Sequence, residues 1–449
     1  MKDIKCRLVS NKEYIKIFFV ITFIFINIMM LFYCIKDIFV LLSFIATFFI
    51  IILGIVKSLY KKFINIDLII FIFFYFFFFI APIFQIEKGG FFPNTIPIRL
   101  DDIMIANILI AIWTLLYIFS GYIMSPKKIY YSNRVIKKYI KNTYFLLSIV
   151  VFIITFSLFK MDFFLGNIGW GAIINDGTIL LIMASVLPAI IFANFIFTIK
   201  YPGKKKKVNK LKACISIFIF IYYISPFNKS RYYIGFVILA LIYLFLNKKI
   251  KPIYLLIILS LGIIIIFPVL GMFRNGFDDF NINYLSREIK NQFLTLNFDA
   301  YSEFIATLEY VKLNGIVYGK IFLSSILFFI PRVVWPGKSI GAGGIIGNYL
   351  LENYSLGFTN VSNPFISDIY LNFGIVGFII SPFIIRYLLN KINNDIVYSI
   401  VLGYIIFIAR GDFMSSFAYF LGSYIIIYLI PFNNNSRNEV NKSESSIFN

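Results

Sequence analysis

Residues 328–344 read FFIPRVVWPGKSIGAGG, which places Arg332, Trp335 and Lys338 between two prolines and a glycine cluster. An arginine fork grips phosphate oxygens in two directions, and a lysine adds a point charge. Pro331 and Pro336 fix the backbone and stop a helix from continuing. Trp335 suits a membrane–water interface, where its ring meets hydrocarbon and its N–H stays wet. Residues of these types at this spacing would hold an anionic, phosphate-bearing headgroup. The plainer alternative is that Arg332 and Lys338 anchor the loop to lipid headgroups. The GAGG stretch at 341–344 frees the backbone for close approach but lacks the Gly-Lys-Ser/Thr ending of a nucleotide-binding loop.

Three further arginines extend the pattern. Arg231 closes SPFNKSR, Arg274 lies in GMFRNGFDD, and Arg410 precedes Asp412 in FIARGDF. Each falls beside the end of an apolar run, where an ionised side chain is costly unless paired. Converging, Arg231, Arg274, Arg332, Lys338 and Arg410 would make a diphosphate pocket; singly, each could be a snorkelling anchor or an ion-pair member. The same region carries Asp278, Asp279, Glu288, Asp299, Glu303, Glu309, Glu352 and Asp368. Glu303 and Asp368, near expected membrane entry points, are the candidate bases for a transfer to a hydroxyl acceptor. The adjacent Asp278–Asp279 pair is a weak divalent-cation signal, and no metal or cofactor is expected.

The chain has no histidine, which removes His-based acid–base catalysis, His metal sites and Ser-His-Asp triads. Cys6, Cys34 and Cys214 have no metal-ligand spacing.

The elements that must position these groups are helices in a bilayer. Of 449 residues 60% are hydrophobic and 14% charged, so a soluble fold could not hide the apolar surface. Apolar spans fall near 14–33, 38–56, 66–84, 103–124, 142–160, 178–199, 212–226, 232–247, 253–270, 368–386, 395–410 and 413–431. Spans of this length close their backbone hydrogen bonds as helices. The fold class expected is therefore an all-α integral membrane protein with about twelve transmembrane helices. The phenylalanine-rich run FIFFYFFFFI at 71–80 is expected to face lipid or to pack.

SPKKIYYSNRVIKKYIK (125–141) and KYPGKKKKVNKLK (200–212) carry many cations and no acid, which puts both in the cytoplasm. Alternation then places both termini in the cytoplasm and nearly all the +21 net charge on that side, facing anionic lipid rather than nucleic acid. Nine spans fill 1–270, a large outer segment covers 271–367, three spans fill 368–431, and 432–449 is a polar, disordered tail. Within the outer segment IFLSSILFFI (321–330) is too short to span, and a re-entrant or interfacial element is expected over 318–331. So long a connector should fold on the membrane surface and carry function.

ILFFIPRVVWPGK, followed by SNPFISDIYLNFGIVGFIISP, resembles the O-antigen polymerase (oligosaccharide repeat-unit polymerase, Wzy-type) family. SPFNKSRYYIGFVILALIYLFLNKK and FIARGDF are similar to family members in character and order. The resemblance implies a GT-C-like polytopic enzyme of the cytoplasmic membrane. It would transfer a growing glycan from undecaprenyl diphosphate to the non-reducing end of a new lipid-linked repeat unit on the outer face. Its implied partners are undecaprenyl-diphosphate-linked oligosaccharides, membrane lipids, a chain-length regulator and a flippase, with no nucleic acid. Arg332 and Lys338 match the motif and would hold diphosphate, whereas Arg231, Arg274 and Arg410 match more loosely. No acid matches a family base pattern.

Two alternatives share these features. A lipid-linked oligosaccharide flippase would have as many spans, but with short, even loops and charges inside its helices. An O-antigen ligase would tend to use an outer-loop histidine, which is missing here.

Overall fold

The computed structural model describes residues 21–61, 63–91, 96–124, 138–201, 206–225, 227, 229–247, 249–269, 282–392 and 394–431. The described residues are mostly helical, with no β-strand among them. The helices are α1 (Ile21–Cys34), α2 (Ile38–Leu59), α3 (Ile66–Glu87), α4 (Leu100–Ile123), α5 (Lys138–Leu165), α6 (Gly177–Ile199), α7 (Lys206–Tyr223), α8 (Arg231–Leu246) and α9 (Pro252–Val269). Then come α10 (Ile282–Asn291), α11 (Ala300–Asn314), α12 (Lys320–Ile326), α13 (Ala342–Tyr354), α14 (Phe365–Lys391), α15 (Asp395–Arg410) and α16 (Phe413–Leu429).

A helix occupies each of the twelve apolar spans. Seven helices among the described residues, α2 to α6, α9 and α14, are long and apolar enough to cross a bilayer. Three others, α1, α8 and α16, are shorter apolar helices. Many large apolar side chains on these helices face outward, such as Leu146, Val150 and Ile153 on α5. Outside a bilayer that surface would be exposed to water; this is the pattern of a helical membrane protein.

Several helices start on a capping residue. The Asp37 carboxylate accepts from the amides of Phe39 and Val40, and Asn65, Asp176 and Asn394 do the same for α3, α6 and α15.

The phenylalanine-rich run does not face lipid. It lies in α3, which from Leu68 to Phe84 is apolar on every face and mostly buried in the bundle, and its rings stack inside. Phe73 lies 4.5 Å from Phe77, and Phe77 lies 4.9 Å from Phe298. Helix α3 widens by a π-type turn at Tyr75–Ile80 and packs against α2 and α15.

In the 271–367 segment the first two turns of α11, Ala300–Thr307, are buried against α14, α13 and α4, while most of the 331–337 loop is exposed. The expected re-entrant element is only the seven-residue α12, ending at Ile326 in turns that lead into the proline loop. It is held by a break in α14. Gly374 takes φ +61° there, a left-handed conformation that costs glycine little. The carbonyl of Leu371 then accepts from Val317 N at 3.0 Å, that of Asn372 accepts from Gly319 N at 3.1 Å, and the Asn372 side chain accepts from Phe322 N. A broken helix in hydrocarbon must have its freed carbonyls satisfied, and the 317–322 segment satisfies them.

Candidate functional site

The charged residues gather where α11, α13, α14, α15 and α16 meet end to end. Arg410, the last residue of α15, turns its guanidinium inward and pairs with Asp299, which precedes α11. Its Nε donates to the Asn297 carbonyl at 3.1 Å, Nη1 to Ser362 at 2.9 Å and Nη2 to Leu296 at 2.6 Å. Both side chains are under 5% exposed. Arg410 therefore ties three backbone segments together, and its donors are spent within the protein rather than offered to a diphosphate. Burial pushes the Asp299 carboxyl up to about 6, with the Arg410 guanidinium pulling it the other way.

Glu303 lies one turn further along α11 and is fully buried. Neither of its carboxyl oxygens has a hydrogen-bond partner among the described residues. Burial first, and the Asp299 charge second, push its pKa well above the usual carboxylate range, against the pull of Arg410. Burial thus disfavours the charged form of Glu303. Asp368, in the first turn of α14, is engaged on both oxygens: Asn363 Nδ2 donates at 2.6 Å and the Phe413 amide at 2.9 Å. Asn363 also accepts from the Thr307 hydroxyl at 3.1 Å. Of the two candidate bases, Asp368 is a clamp between α14 and α16, and Glu303 sits in a closed interior.

Asp412 caps α16 and also accepts from Gly343 N at 3.1 Å. Burial raises its pKa, while the amides of Gly343, Ser415, Met414 and Ala342 favour its charged form. The glycine cluster exists for this contact. A Cβ on Gly341 would fall 2.7 Å from the Asp412 oxygens, and one on Gly343 would fall 2.0 Å from the Val361 carbonyl oxygen. The close approach expected at GAGG is made by the protein's own carboxylate and backbone.

The PRVVWPGK loop is closed by its own cations. Lys338 is buried and donates from Nζ to the carbonyls of Phe328 at 2.6 Å and Ile330 at 2.9 Å. Its pKa is lowered, first by burial and then by Arg332, with Asp176 opposing. Arg332 spans the loop from outside: Nη1 donates to the Lys338 carbonyl at 2.7 Å and Nη2 to that of Ser339 at 3.3 Å. Arg332 stays exposed, next to Val333 and Val334, which are 90% and 74% exposed. The loop rests on α12 through Ser339 N, which donates to Ser324 Oγ at 3.0 Å, and α12 rests on α16 where Phe322 stacks on Phe413 at 5.0 Å.

The structure thus places Arg332 and Lys338 in one loop, with Lys338 only three residues before Gly341 and its Asp412 contact. Arg410 belongs to the interior cluster. The Arg231 side chain, Arg274, Asp278 and Asp279 lie outside the described residues, as do the 125–137 and 202–205 connectors and the 432–449 tail. Glu309 accepts from the Tyr354 hydroxyl at 2.7 Å and faces Arg99 at 3.5 Å.

The chain matches no family model, and no curated protein or solved structure matches it.

A second charged centre was missed in the sequence. Asp67 of α3 accepts from Arg386 Nη1 at 2.8 Å and from the Tyr117 hydroxyl at 2.7 Å, and also pairs with Lys61. Arg386 lies over the Tyr117 ring, 4.3 Å from its centroid. The signal was available, because an acid and an arginine inside apolar spans need partners.

Proposed function

We propose that this protein is a membrane glycosyltransferase that polymerises lipid-linked oligosaccharide repeat units into a surface polysaccharide. In this reading all twelve helices over the apolar spans cross the cytoplasmic membrane, both termini are cytoplasmic, and the 271–367 segment lies on the outer face. The donor is a glycan on undecaprenyl diphosphate, the acceptor is the next lipid-linked unit, and a flippase and a chain-length regulator are its partners. Support comes from the polymerase-like stretches and, above all, from one observation: Arg332 is exposed at the head of a loop that the buried Lys338 holds shut.

The acceptor hydroxyl attacks the anomeric carbon as the bond to the diphosphate oxygen breaks, and the diphosphate departs with the electron pair. Charge builds on the leaving group, so a fixed cation favours the transition state over the ground state. Arg332 is the residue for that role, because it stays exposed although two of its donors are held by the carbonyls of Lys338 and Ser339. Lys338 and Arg410 act by positioning, since both are buried and committed to carbonyls or to Asp299. In this reading Glu303 is the proton acceptor, because both oxygens of Asp368 are already engaged, and the acceptor hydroxyl reaches it only when the seam that buries α11 opens. Its raised proton affinity is what a base for a sugar hydroxyl needs.

The test is a strain lacking its own copy of the gene, complemented with wild type or Arg332→Ala at equal membrane abundance, with surface glycan resolved by size. A ladder with wild type and single repeat units with the variant is the expected result. An unchanged ladder in the variant would reduce PRVVWPGK to a membrane anchor. No ladder even with wild type would end the polymerase reading.

A further inference from the structure

A cavity of about 510 Å³ runs between α3, α4, α14, α15 and α16. Phe74, Trp113, Leu388 and Val401 line it, Phe413 stands at one end and Lys391 at the other. Apart from Lys391, its wall is almost wholly apolar. Leu388, one of its lining residues, is 58% exposed. At membrane depth the surroundings that an apolar wall of this kind meets are hydrocarbon.

The length of the cavity suits a lipid tail. Along α15 and the residues just before it, its wall runs from Ile392 to Ala409 through Val397, Val401, Ile405 and Ile408. That stretch covers about 25 Å at 1.5 Å per residue, most of a hydrocarbon core about 30 Å thick. The charge at the mouth selects the headgroup. Lys391 is exposed, with its Nζ 4.9 Å from the Tyr387 ring. The nearby acid, Asp395 at the start of α15, is already paired with Lys200 at 3.4 Å. The same end of the bundle carries Lys57, Lys61 and Arg386 against Asp67.

We propose that this groove is a binding site for an anionic phospholipid, one acyl chain lying between α14, α15 and α16 with its phosphate at Lys391. The site is independent of the glycan chemistry: it would stand if the polymerase reading fell.

Trp113 lines the groove, and the chain has only three tryptophans, so bromine quenching reports occupancy. The full-length chain carrying Trp170→Phe and Trp335→Phe is placed in nanodiscs with increasing dibrominated phosphatidylglycerol or dibrominated phosphatidylcholine. Saturable quenching of Trp113 is expected, with about five-fold tighter apparent binding of phosphatidylglycerol, the size of one lysine's attraction to an anionic headgroup. Lys391→Gln, an exposed change that leaves the core intact, should erase that preference. Equal, non-saturating quenching by both lipids would mean bulk contact only and would overturn the proposal. So would absence of quenching, which would mean that the protein's own chain fills the groove. Unaltered protein, stripped of bulk lipid and weighed intact by native mass spectrometry, should retain phosphatidylglycerol; retention of none would count against the site.

Discussion

Asp412 sets its carboxylate 3.1 Å from the amide nitrogen of Gly343 and thereby takes the place at the start of α13 that an anionic ligand would otherwise fill. The glycine-rich stretch is built around that carboxylate. Gly343→Ala would drive a Cβ to within 2.0 Å of the Val361 carbonyl oxygen, where only backbone could give way. A loss of stability of about 2 kcal/mol or more is expected, as for other overpacked sites. Gly357→Ala, which meets nothing within 4 Å, is the control. Thermal unfolding of both in detergent decides this; equal melting temperatures would mean that the 341–361 contact is not part of the folded state.

Arg410 and Asp299 should behave as a buried ion pair. Replacing either alone leaves a buried partner uncompensated and should cost about 3–5 kcal/mol. Arg410→Met combined with Asp299→Leu should recover a good part of that loss, because two apolar side chains carry no desolvation penalty. A double-mutant cycle on unfolding free energy measures the coupling; strict additivity would contradict the pairing.

Arg332 and Lys338 should separate in experiment although they share a loop. Arg332→Ala is expected to lower polymer formation by about 10²–10³-fold with little change in melting temperature. Lys338→Ala removes the two carbonyl contacts inside the loop and should lower both activity and stability. Were both variants to melt early, the functional role assigned to Arg332 would collapse into a structural one.

Glu303 gives stability a pH dependence of known sign. The folded carboxyl keeps its proton well above its ordinary value of 4.5, where the unfolded chain has lost it. Over that window the folded state binds more protons, so its stability falls as pH rises, by up to about 1.4 kcal/mol per pH unit. Glu303→Gln mimics the protonated acid and should flatten the slope, melting above wild type at alkaline pH. In the same variant glycan transfer should be lost. Retained transfer would remove Glu303 from the proton-accepting role.

The helices were readable because uninterrupted apolar stretches about as long as a bilayer is thick have few other structures open to them, and because Asp37, Asn65, Asp176 and Asn394 announce four of the starts. The site was only half readable. A cation at the end of a span must find a partner, but nothing local to FIARGDF points to Asp299, more than a hundred residues away. GAGG announces a close approach without saying what approaches. Gly374 was hidden too, since a glycine within an apolar span gives no sign that the helix will break there and receive the 317–322 segment. The phenylalanine run could have faced either way; only the surrounding helices decide that it turns inward.

The Asp67–Arg386 pair has a consequence for how the chain is made. Asp67 is inserted 319 residues before its arginine is synthesised. Asp299 likewise waits for Arg410. Until α14 and α15 leave the ribosome, the nascent bundle carries acids that lack their guanidinium partners. The last fifth of the chain therefore completes both centres: a protein truncated before Arg386 would keep most of its apolar helices but leave Asp67 to Lys61 and Asp299 without Arg410.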